Sequence, residues 1–261
     1  MIKPYYKQLK VSIITVTLNS SDFLKDCLKS IKSQTYNNIE HIIVDGGSTD
    51  KTLSILEESK NEISIIVSSK DKGIYDAMNK GIQLATGDII GFLNSDDFYA
   101  NNDVIFKVVK QFEYDQLLQT CYADLVYVER FNTSKNIRYV KSGEFKHGLF
   151  LTGWCPPHPT FFALKSVYNR FGSFNLSYRF ASDFDLMLRF LEKHKLKSLY
   201  ISEVLVNMRL GGVTNKNIKN IWLQNREILT SFKENGLRIN IVKFFFLKII
   251  SRLVQFFNSK L

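Results

Sequence analysis

The feature that most constrains the fold is an alternation of β-branched apolar runs with helix-like segments in the first hundred residues. The runs predict strands over residues 11–18, 41–45, 63–69 and 88–97, and the segments between them predict helices over residues 23–34, 52–60 and 75–85. Continuous apolar runs are typical of strands that are buried on both faces. Repeated strand–helix–strand units predict an α/β fold, a mostly parallel sheet flanked by helices. Ligands of such sheets bind beyond the carboxyl ends of the strands.

The second half of the chain has a different pattern. Residues 125–130 and 137–141 resemble strands around a turn, residues 184–194 a helix and residues 198–201 a short strand. A loop rich in Trp, Cys, Pro and His covers residues 153–159. Long helices are expected over residues 217–235 and 239–258, so the sheet is followed by a C-terminal helical extension.

Composition excludes several classes of protein. Hydrophobic residues make up 45% of the 261 residues and charged residues 23%, which is typical of a globular chain. The three cysteines are odd in number and form no CxxC pair, so neither a disulfide framework nor a zinc site is indicated. The first ten residues lack the apolar segment of a signal peptide. No apolar run reaches the roughly 18 residues of a transmembrane helix.

Acidic side chains follow two of the predicted strands. Asp45 ends the run HIIVD, and Asp96 and Asp97 end GFLNSDD. Because the ends of neighbouring parallel strands meet at one crevice, these carboxylates are expected to lie close together, which is costly unless a cation compensates. Mg²⁺ and Mn²⁺ prefer carboxylate and phosphate oxygens. Simple turn and capping roles for these residues are the alternative.

Six ordered blocks resemble the family 2 glycosyltransferases, the inverting GT-A type used in bacterial surface polysaccharide biosynthesis. They are VSIITVTLN, SIKSQTYNNIEHIIVDGGSTDKT, DKGIYDAMNKGI, ATGDIIGFLNSDDFY, HPTFF and FASDFDLMLRF, and they span roughly residues 10–215. The resemblance implies a Rossmann-like GT-A domain over residues 1–215. Its nucleotide-sugar half covers about 10–125 and its acceptor half about 126–215, and residues 216–261 form the extension.

The resemblance also implies a donor site for a nucleoside-diphosphate sugar, with UDP as the expected nucleotide. It places base and ribose contacts at Thr17 and Asn19 and a uracil contact at Asp45. Contacts near the donor sugar and diphosphate are expected at Lys72, Asp76, Asn79 and Arg209. Asp97 is expected to bind the Mn²⁺ or Mg²⁺ ion, and Asp96 to contact the ribose or a metal-bound water. Many relatives have a second acid directly after the uracil-contacting one. This chain has Gly46 there, so that second base contact is in question.

The catalytic base of inverting relatives lies in an acidic pair before a helix, which corresponds to Asp183 with Asp185 as the second candidate. Such a base deprotonates the acceptor hydroxyl as it attacks the anomeric carbon. An N-cap role for Asp183 is compatible with this function. Trp154 and His158 match a loop near the acceptor, and Asp185 is assigned to the acceptor side as well.

The C-terminal segment is basic and amphipathic. From Lys219 onward the chain has eight Lys and Arg residues against two Glu, a net +6 out of +10. On a helical wheel, Asn240, Lys248, Ser251, Arg252 and Gln255 share one third of the circumference, and most other positions are apolar. Such a helix suits an anionic membrane surface, although packing on the core or on a partner is the alternative.

Together these features predict transfer of a hexose or N-acetylhexosamine from a UDP-sugar to a saccharide linked to a polyprenyl diphosphate, in O-antigen, capsule or exopolysaccharide synthesis. The expected location is peripheral, on the cytoplasmic face of the inner membrane, and the sequence leaves the oligomeric state open, a homodimer included. A metal-dependent nucleotidyltransferase would need a loop with Gly, Lys or Arg early in the chain to bind phosphate. The first loop, LNSSD, has none of these residues. A nucleic-acid-binding module is disfavoured because the strand ends are acidic and the basic excess is in the C-terminal segment.

Overall fold

The structure, a computed structural model, describes residues 8–211 and 217–257. Its strands are β1 Val11–Thr17, β2 Ile39–Asp45, β3 Ile65–Ser68, β4 Ile89–Phe92, β5 Phe98–Tyr99, β6 Thr120–Val128, β7 Asn136–Val140, β8 Phe162–Leu164 and β9 Ser198–Arg209. Its helices are α1 Leu24–Lys32, α2 Thr52–Glu58, α3 Ile74–Leu84, α4 Val104–Tyr114, α5 Lys165–Phe171, α6 Ser182–Leu188, α7 Ile218–Glu234 and α8 Ile241–Phe257. A π-helical turn, Arg189–Lys193, continues α6.

The strands form one sheet in the order β3-β2-β1-β4-β8-β6-β9-β5, and β7 pairs with β6. The first four strands run parallel, as predicted, with Thr17 opposite Asp45 at the carboxyl ends of β1 and β2. Beyond β4 the pairing is mixed, because β8 is antiparallel to both β4 and β6. The α/β architecture is therefore confirmed, and parallel pairing dominates only the first half of the sheet.

Helices cover both faces of the sheet. One buried cluster includes residues of α3, α5 and α6, and a second includes residues of α1 and α4. Strand β1 contributes Ile14 to the first cluster and Ile13 to the second, which is why its sequence is an unbroken apolar run. Helix α3 approaches β1 so closely that a Cβ at Gly81 would lie 2.4 Å from Ile14 Cγ2.

Several boundaries differ from the sequence-based prediction. The fourth strand ends at Phe92 instead of continuing to Asp97, because a turn closed by the Asp97 N–H and the Asn94 carbonyl follows it. Strand β6 begins at Thr120, and β9 continues to Arg209. Helices α4 and α5 and strand β8 were not predicted.

Helix α7 is attached to the start of α6 through side chains. Glu227 accepts hydrogen bonds from the backbone N–H groups of Arg179, Phe180 and Ala181, at 2.8–2.9 Å. These groups precede the first turn of α6. The C-terminal extension is thus part of the support of α6. Within residues 8–211 and 217–257, no helix is long and apolar enough to span a bilayer.

Candidate active site

The loops after β1, β2 and β4 meet at the carboxyl edge of the sheet. Thr17 and Asp45 are paired neighbours there, and the Ser95 hydroxyl donates a 2.8 Å hydrogen bond to Ser20 Oγ, which joins the β4 loop to the β1 loop. Helix α3 follows β3, so its first turn also lies at this edge. The crevice expected from the strand pattern is therefore present.

The Asp45 carboxylate is fully buried and serves its own loop. One oxygen accepts hydrogen bonds from the N–H groups of Gly47 and Ser48 and from the Ser68 hydroxyl, and the other accepts from the Ser48 hydroxyl. These contacts shape the turn after β2. Asp45 therefore has a structural role in this turn, and its contact with uracil stays a prediction.

A second carboxylate, from a different loop, lies beside Gly46, the residue that follows Asp45. A Cβ at Gly46 would lie only 2.6 Å from Asp71 Oδ2, so the Asp71 side chain fills the space beside this glycine. Asp71 precedes α3 and also accepts a hydrogen bond from the Gly73 N–H at 2.9 Å. The acid that is absent from position 46 is therefore replaced in space by one that is distant in sequence, which no local pattern could reveal.

The end of β1 has an unsatisfied donor. The buried Thr17 hydroxyl has no hydrogen-bond partner among the described residues. An unpaired buried hydroxyl is costly, so this position favours a ligand. Asn19 adopts φ 51°, and its side-chain oxygen accepts from the Thr49 N–H at 2.8 Å. Asn19 thus shapes the loop that borders Thr17.

The block 71–81 mostly organises the first turns of α3. Asp76 accepts a hydrogen bond from the Lys72 N–H at 3.0 Å and pairs with Lys80 at 3.3 Å. Asn79 uses its amide nitrogen and oxygen on the carbonyl and N–H of Phe174, at 2.9 and 3.0 Å. Asn79 therefore clamps another loop instead of presenting its amide to the crevice, whereas the Lys72 side chain is exposed.

The acidic pair after β4 is a buried concentration of charge. Asp97 is fully buried, and the hydrogen bonds that it accepts within the described chain come from the Arg209 N–H at 3.1 Å and the Asn94 amide at 3.0 Å. Burial, followed by repulsion from Asp96, raises the pKa of Asp97 well above its ordinary value. Burial also raises the pKa of Asp96, against the attraction of Arg130 and Arg209.

This pair fits a cation that is shared with a ligand. Within residues 8–211 and 217–257, no group of three or more His, Cys, Asp or Glu side chains could hold a metal on its own. Mg²⁺ sites commonly use one or two carboxylates and complete the shell with substrate phosphates and water. Two adjacent acids whose charged forms are disfavoured by burial match that chemistry, and Asp97 and Asp96 would be its protein side.

Arg209 has a different role from the predicted one. Its guanidinium is buried between the rings of Phe23 and Phe98, at 5.1 and 4.9 Å, and donates to the backbone carbonyls of Arg130 and Asp96 and to the Asp26 carboxylate. Because all three nitrogens of its guanidinium group donate hydrogen bonds, Arg209 fixes the loop that contains Asp96. These contacts argue against the expected direct contact with the donor diphosphate and favour a structural role for Arg209.

Arg130 is the cation that sequence reasoning missed. Its guanidinium lies 4.6 Å from the centre of the Phe23 ring, and its attraction for Asp96 partly opposes the rise that burial causes in the pKa of that carboxyl. Gly211 beside it adopts φ 128°, a backbone conformation that residues with a side chain rarely adopt. None of the six family blocks contains Arg130, which lies just past β6.

Asp183 occupies the first turn of α6, against the first turn of α3. Its Oδ1 accepts hydrogen bonds from the Tyr75 hydroxyl at 3.0 Å and from the Phe184 N–H at 2.8 Å. No donor among the described residues reaches Oδ2, and the side chain is only partly buried. A carboxylate with one anchored and one available oxygen at this edge suits a general base.

His158 lies beside this acid. Its ring packs between Phe92 and Phe174, with centroids 5.0 and 5.4 Å away, and its Nε2 is buried without a hydrogen-bond partner in the described chain. Burial lowers the pKa of His158, and the attraction of Asp183 partly opposes this. A neutral imidazole with an unpaired nitrogen next to the candidate base is consistent with the predicted acceptor contact.

Trp154 and Asp185 are held by the protein. The Trp154 indole donates to the Ser142 carbonyl at 2.6 Å and packs among Tyr122, Phe145 and Phe150. Asp185 is almost fully buried and accepts from Arg189 at 2.8 Å, Ser231 at 2.7 Å and Asn235 at 3.0 Å. Asp185 therefore joins α6 to α7, and this position argues against its predicted acceptor contact and against a role as base.

The sheet and its helices have the GT-A fold of glycosyltransferases, and the model of glycosyl transferase family 2 matches residues 12–171. The chain belongs to glycosyltransferase family 2. The PGL/p-HBAD biosynthesis glycosyltransferase of Mycobacterium tuberculosis strain H37Ra is 33% identical over 236 residues, which cover 88% of each protein. Chondroitin synthase of Escherichia coli is 29% identical over 90% of this chain, which is 34% of that protein.

Solved structures agree on the fold. S. aureus TarS 1-349 in complex with UDP-GlcNAc gives a TM-score of 0.65 at 17% identity, over 86% of this chain and 66% of that one. Mannosyltransferase PcManGT from Pyrobaculum calidifontis, in complex with GDP-Man and Mn²⁺, gives 0.61 at 19% identity, over 88% and 64%. The chain spans only 40% of the longer TarS structure.

The contacts of Asp185 predict a stability defect. Asp185→Asn breaks its buried pair with Arg189, which typically costs roughly 3–5 kcal/mol, or a Tm loss of roughly 10 °C in a chain of this size. Thermal unfolding followed by circular dichroism measures this loss. Asp115→Asn is the control, because Asp115 pairs with Lys197 at the surface, where a pair contributes at most about 1 kcal/mol. An unchanged Tm together with lost activity would place Asp185 in catalysis after all.

Proposed function

We propose that this glycosyltransferase moves a hexose or N-acetylhexosamine from a UDP-sugar to an acceptor hydroxyl with inversion of the anomeric configuration. The observation that carries the proposal is the environment of Asp183. It is a carboxylate at the ligand edge of the sheet, held by Tyr75 and the α6 backbone through one oxygen, with the other oxygen available. One such base suffices for a single displacement, and no covalent enzyme intermediate is needed.

The donor end of the proposal rests on the loops after β1, β2 and β4. Thr17 offers a buried hydroxyl with no partner in the described chain, the Asp71 carboxylate lies beside Gly46, and Asp96 and Asp97 form the acidic pair. A divalent cation bound by that pair would neutralise charge on the departing diphosphate. Asp97 is proposed as the ligand and Asp96 as the ribose or water contact. Arg130, which faces Asp96, is the nearest basic candidate for a phosphate.

The acceptor is proposed to be a lipid-linked saccharide, presented at the cytoplasmic face of a membrane. Support comes from helix α8, one side of which packs against the protein through Phe244 and Lys248. Phe244 is buried against Phe232, and Lys248 donates to Asn225 at 2.8 Å, with its pKa lowered to about 8 by burial. Of the polar stripe identified in the sequence, Lys248 is therefore directed at the protein, whereas Asn240, Ser251 and Arg252 are exposed.

The opposite, apolar side of α8 faces outward. Its exposed members are Val242, Phe246, Ile249, Ile250 and Leu253, whose side chains are 40–80% exposed. At 100° per residue they fall within an arc of about 100°, the width of one helix face. Arg238, Lys243 and Arg252 are exposed as well. An apolar face accompanied by exposed cations fits an anionic lipid surface. Chondroitin synthase among the relatives favours a polysaccharide product.

The role of Asp183 predicts a selective loss of turnover. Asp183→Asn keeps the shape and the oxygen that accepts from Tyr75 but removes the base, so kcat should fall by roughly 10²–10⁴. Donor affinity, measured by calorimetry with UDP, and Tm should stay close to those of the wild type. Retention of most activity would refute the assignment, and His158→Ala would then be the next variant to measure.

The acidic pair predicts metal dependence. EDTA should abolish transfer and donor hydrolysis, and Mn²⁺ or Mg²⁺ should restore both. Asp97→Asn should reduce UDP affinity in Mn²⁺ to the level seen in EDTA, whereas the surface variant Asp115→Asn should not. A screen of UDP-, GDP- and TDP-sugars under these conditions identifies the nucleotide. Full activity in EDTA would exclude the cation from the reaction.

The orientation of α8 predicts lipid binding that can be removed without unfolding. Phe246→Glu combined with Leu253→Glu removes two apolar side chains that together contribute roughly 3 kcal/mol, so affinity for vesicles with anionic lipid should drop on the order of 100-fold. Leu117→Glu is the control, since Leu117 is 74% exposed and lies between α4 and β6, outside α8. Unchanged sedimentation with vesicles would refute the proposal. Loss of a wild-type dimer in the double variant would make this face a dimer interface instead.

A further inference from the structure

We propose that Tyr75 is the positioning residue for the catalytic base, holding the Asp183 carboxylate so that one oxygen is directed at the acceptor hydroxyl. This inference rests on the proposed role of Asp183. The geometric basis is a 3.0 Å hydrogen bond from the Tyr75 hydroxyl to Asp183 Oδ1, which joins the first turn of α3 to the first turn of α6. Donor-side and acceptor-side elements thus meet at this one contact.

Tyr75 can only donate to Asp183 at neutral pH. Burial and the neighbouring Asp183 charge raise the pKa of Tyr75 well above its ordinary value, so its hydroxyl keeps its proton. Since Asp183 Oδ1 also accepts from the Phe184 N–H, two donors from different elements fix that oxygen. A carboxylate held at one oxygen loses the rotational freedom that would otherwise misdirect the other.

Tyr75 is itself held by a chain of contacts. Its ring stacks on Phe174, with centroids 5.4 Å apart and an interplanar angle of 23°. Asn79, one turn further along α3, donates to the Phe174 carbonyl and accepts from the Phe174 N–H. The Phe174 ring also contacts Phe92 at 5.4 Å, next to the acidic loop after β4. The sequence IYDAMN therefore builds a rigid support for Asp183 from two side chains on one face of α3.

The other titratable groups around Asp183 do not replace this donor. His158, in the turn before β8, and Cys155, in the preceding loop, are both sensitive to the Asp183 charge. Burial lowers the pKa of His158 and raises that of Cys155, so both groups are neutral near pH 7. Glu227 of α7 acts on Tyr75 electrostatically and disfavours its ionisation further.

The test is Tyr75→Phe, which keeps the ring on Phe174 and deletes only the hydroxyl. A hydrogen bond to the ionised carboxylate favours that form, so its loss should move the acid limb of the pH–rate profile to higher pH by about one unit and lower kcat about tenfold. Donor affinity should change less than twofold. Tyr168→Phe is the matched control, because the buried Tyr168 hydroxyl has no partner in the described chain.

Two further variants distinguish a loss of positioning by Tyr75 from misfolding of the variant and from a wrong assignment of Asp183 as the base. In an Asp183→Asn background, Tyr75→Phe should have no additional effect on kcat. Asn79→Ser should lower kcat and leave UDP affinity unchanged, even if Tyr75→Phe were poorly folded. A Tyr75→Phe enzyme with normal kcat and pH profile, or an Asn79→Ser enzyme with weakened UDP binding, would overturn the inference. An active Asp183→Asn enzyme would instead remove the proposed base itself.

Discussion

The burial of the Asp97 carboxylate is the constraint around which the crevice is organised. Two neutral donors, the Arg209 N–H and the Asn94 amide, are all that the described chain provides to it, and Asp96 adds repulsion. The nearby cations do not neutralise it directly, because the Arg209 guanidinium is committed to backbone carbonyls and to Asp26. Such a pair persists in a folded protein only if the rest of the structure enforces it. That enforcement is the role of Arg209, Phe23 and Phe98.

The hydrogen-bond partners of the acidic residues separate those with a structural role from those that are free to contact a ligand. Asp45 and Asp185 are buried and accept several hydrogen bonds each, so they fix a turn and a helix–helix contact. Asp183 has one anchored and one available oxygen, and Asp97 has donors but no cation. Sequence motifs cannot separate these groups, because all four residues are aspartates inside family blocks. Their hydrogen bonds separate them, and Asp183 and Asp97 are the two for which we propose a chemical role.

What the sequence could reveal depended on whether the signal was local. The parallel strands, the acidic strand ends and the α6 acid follow from short patterns and were predicted. Helix α4 also had a local signal, since Val104, Val108 and Phe112 recur at helical spacing, and it was overlooked. By contrast, the pairing of Arg209 with Asp26 joins residues 183 positions apart, and Asp71 reaches Gly46 from another loop. Nothing in either local sequence indicates those contacts.

The orientation of the C-terminal helices is a second feature that the local sequence did not reveal. The wheel of α8 showed a polar and an apolar side, but only the fold reveals that Lys248 faces the protein, where a Cβ at Gly153 would lie 2.7 Å from its Cβ. Gly153 belongs to the loop that leads to Cys155, whose ionisation the Asp183 charge opposes. Helix α7 meanwhile holds the start of α6 through Glu227. The inward side of α8 thus packs on the loop that carries the predicted acceptor contacts Trp154 and His158, and a surface bound to its outward apolar face would be separated from that loop by the width of one helix, about 10 Å.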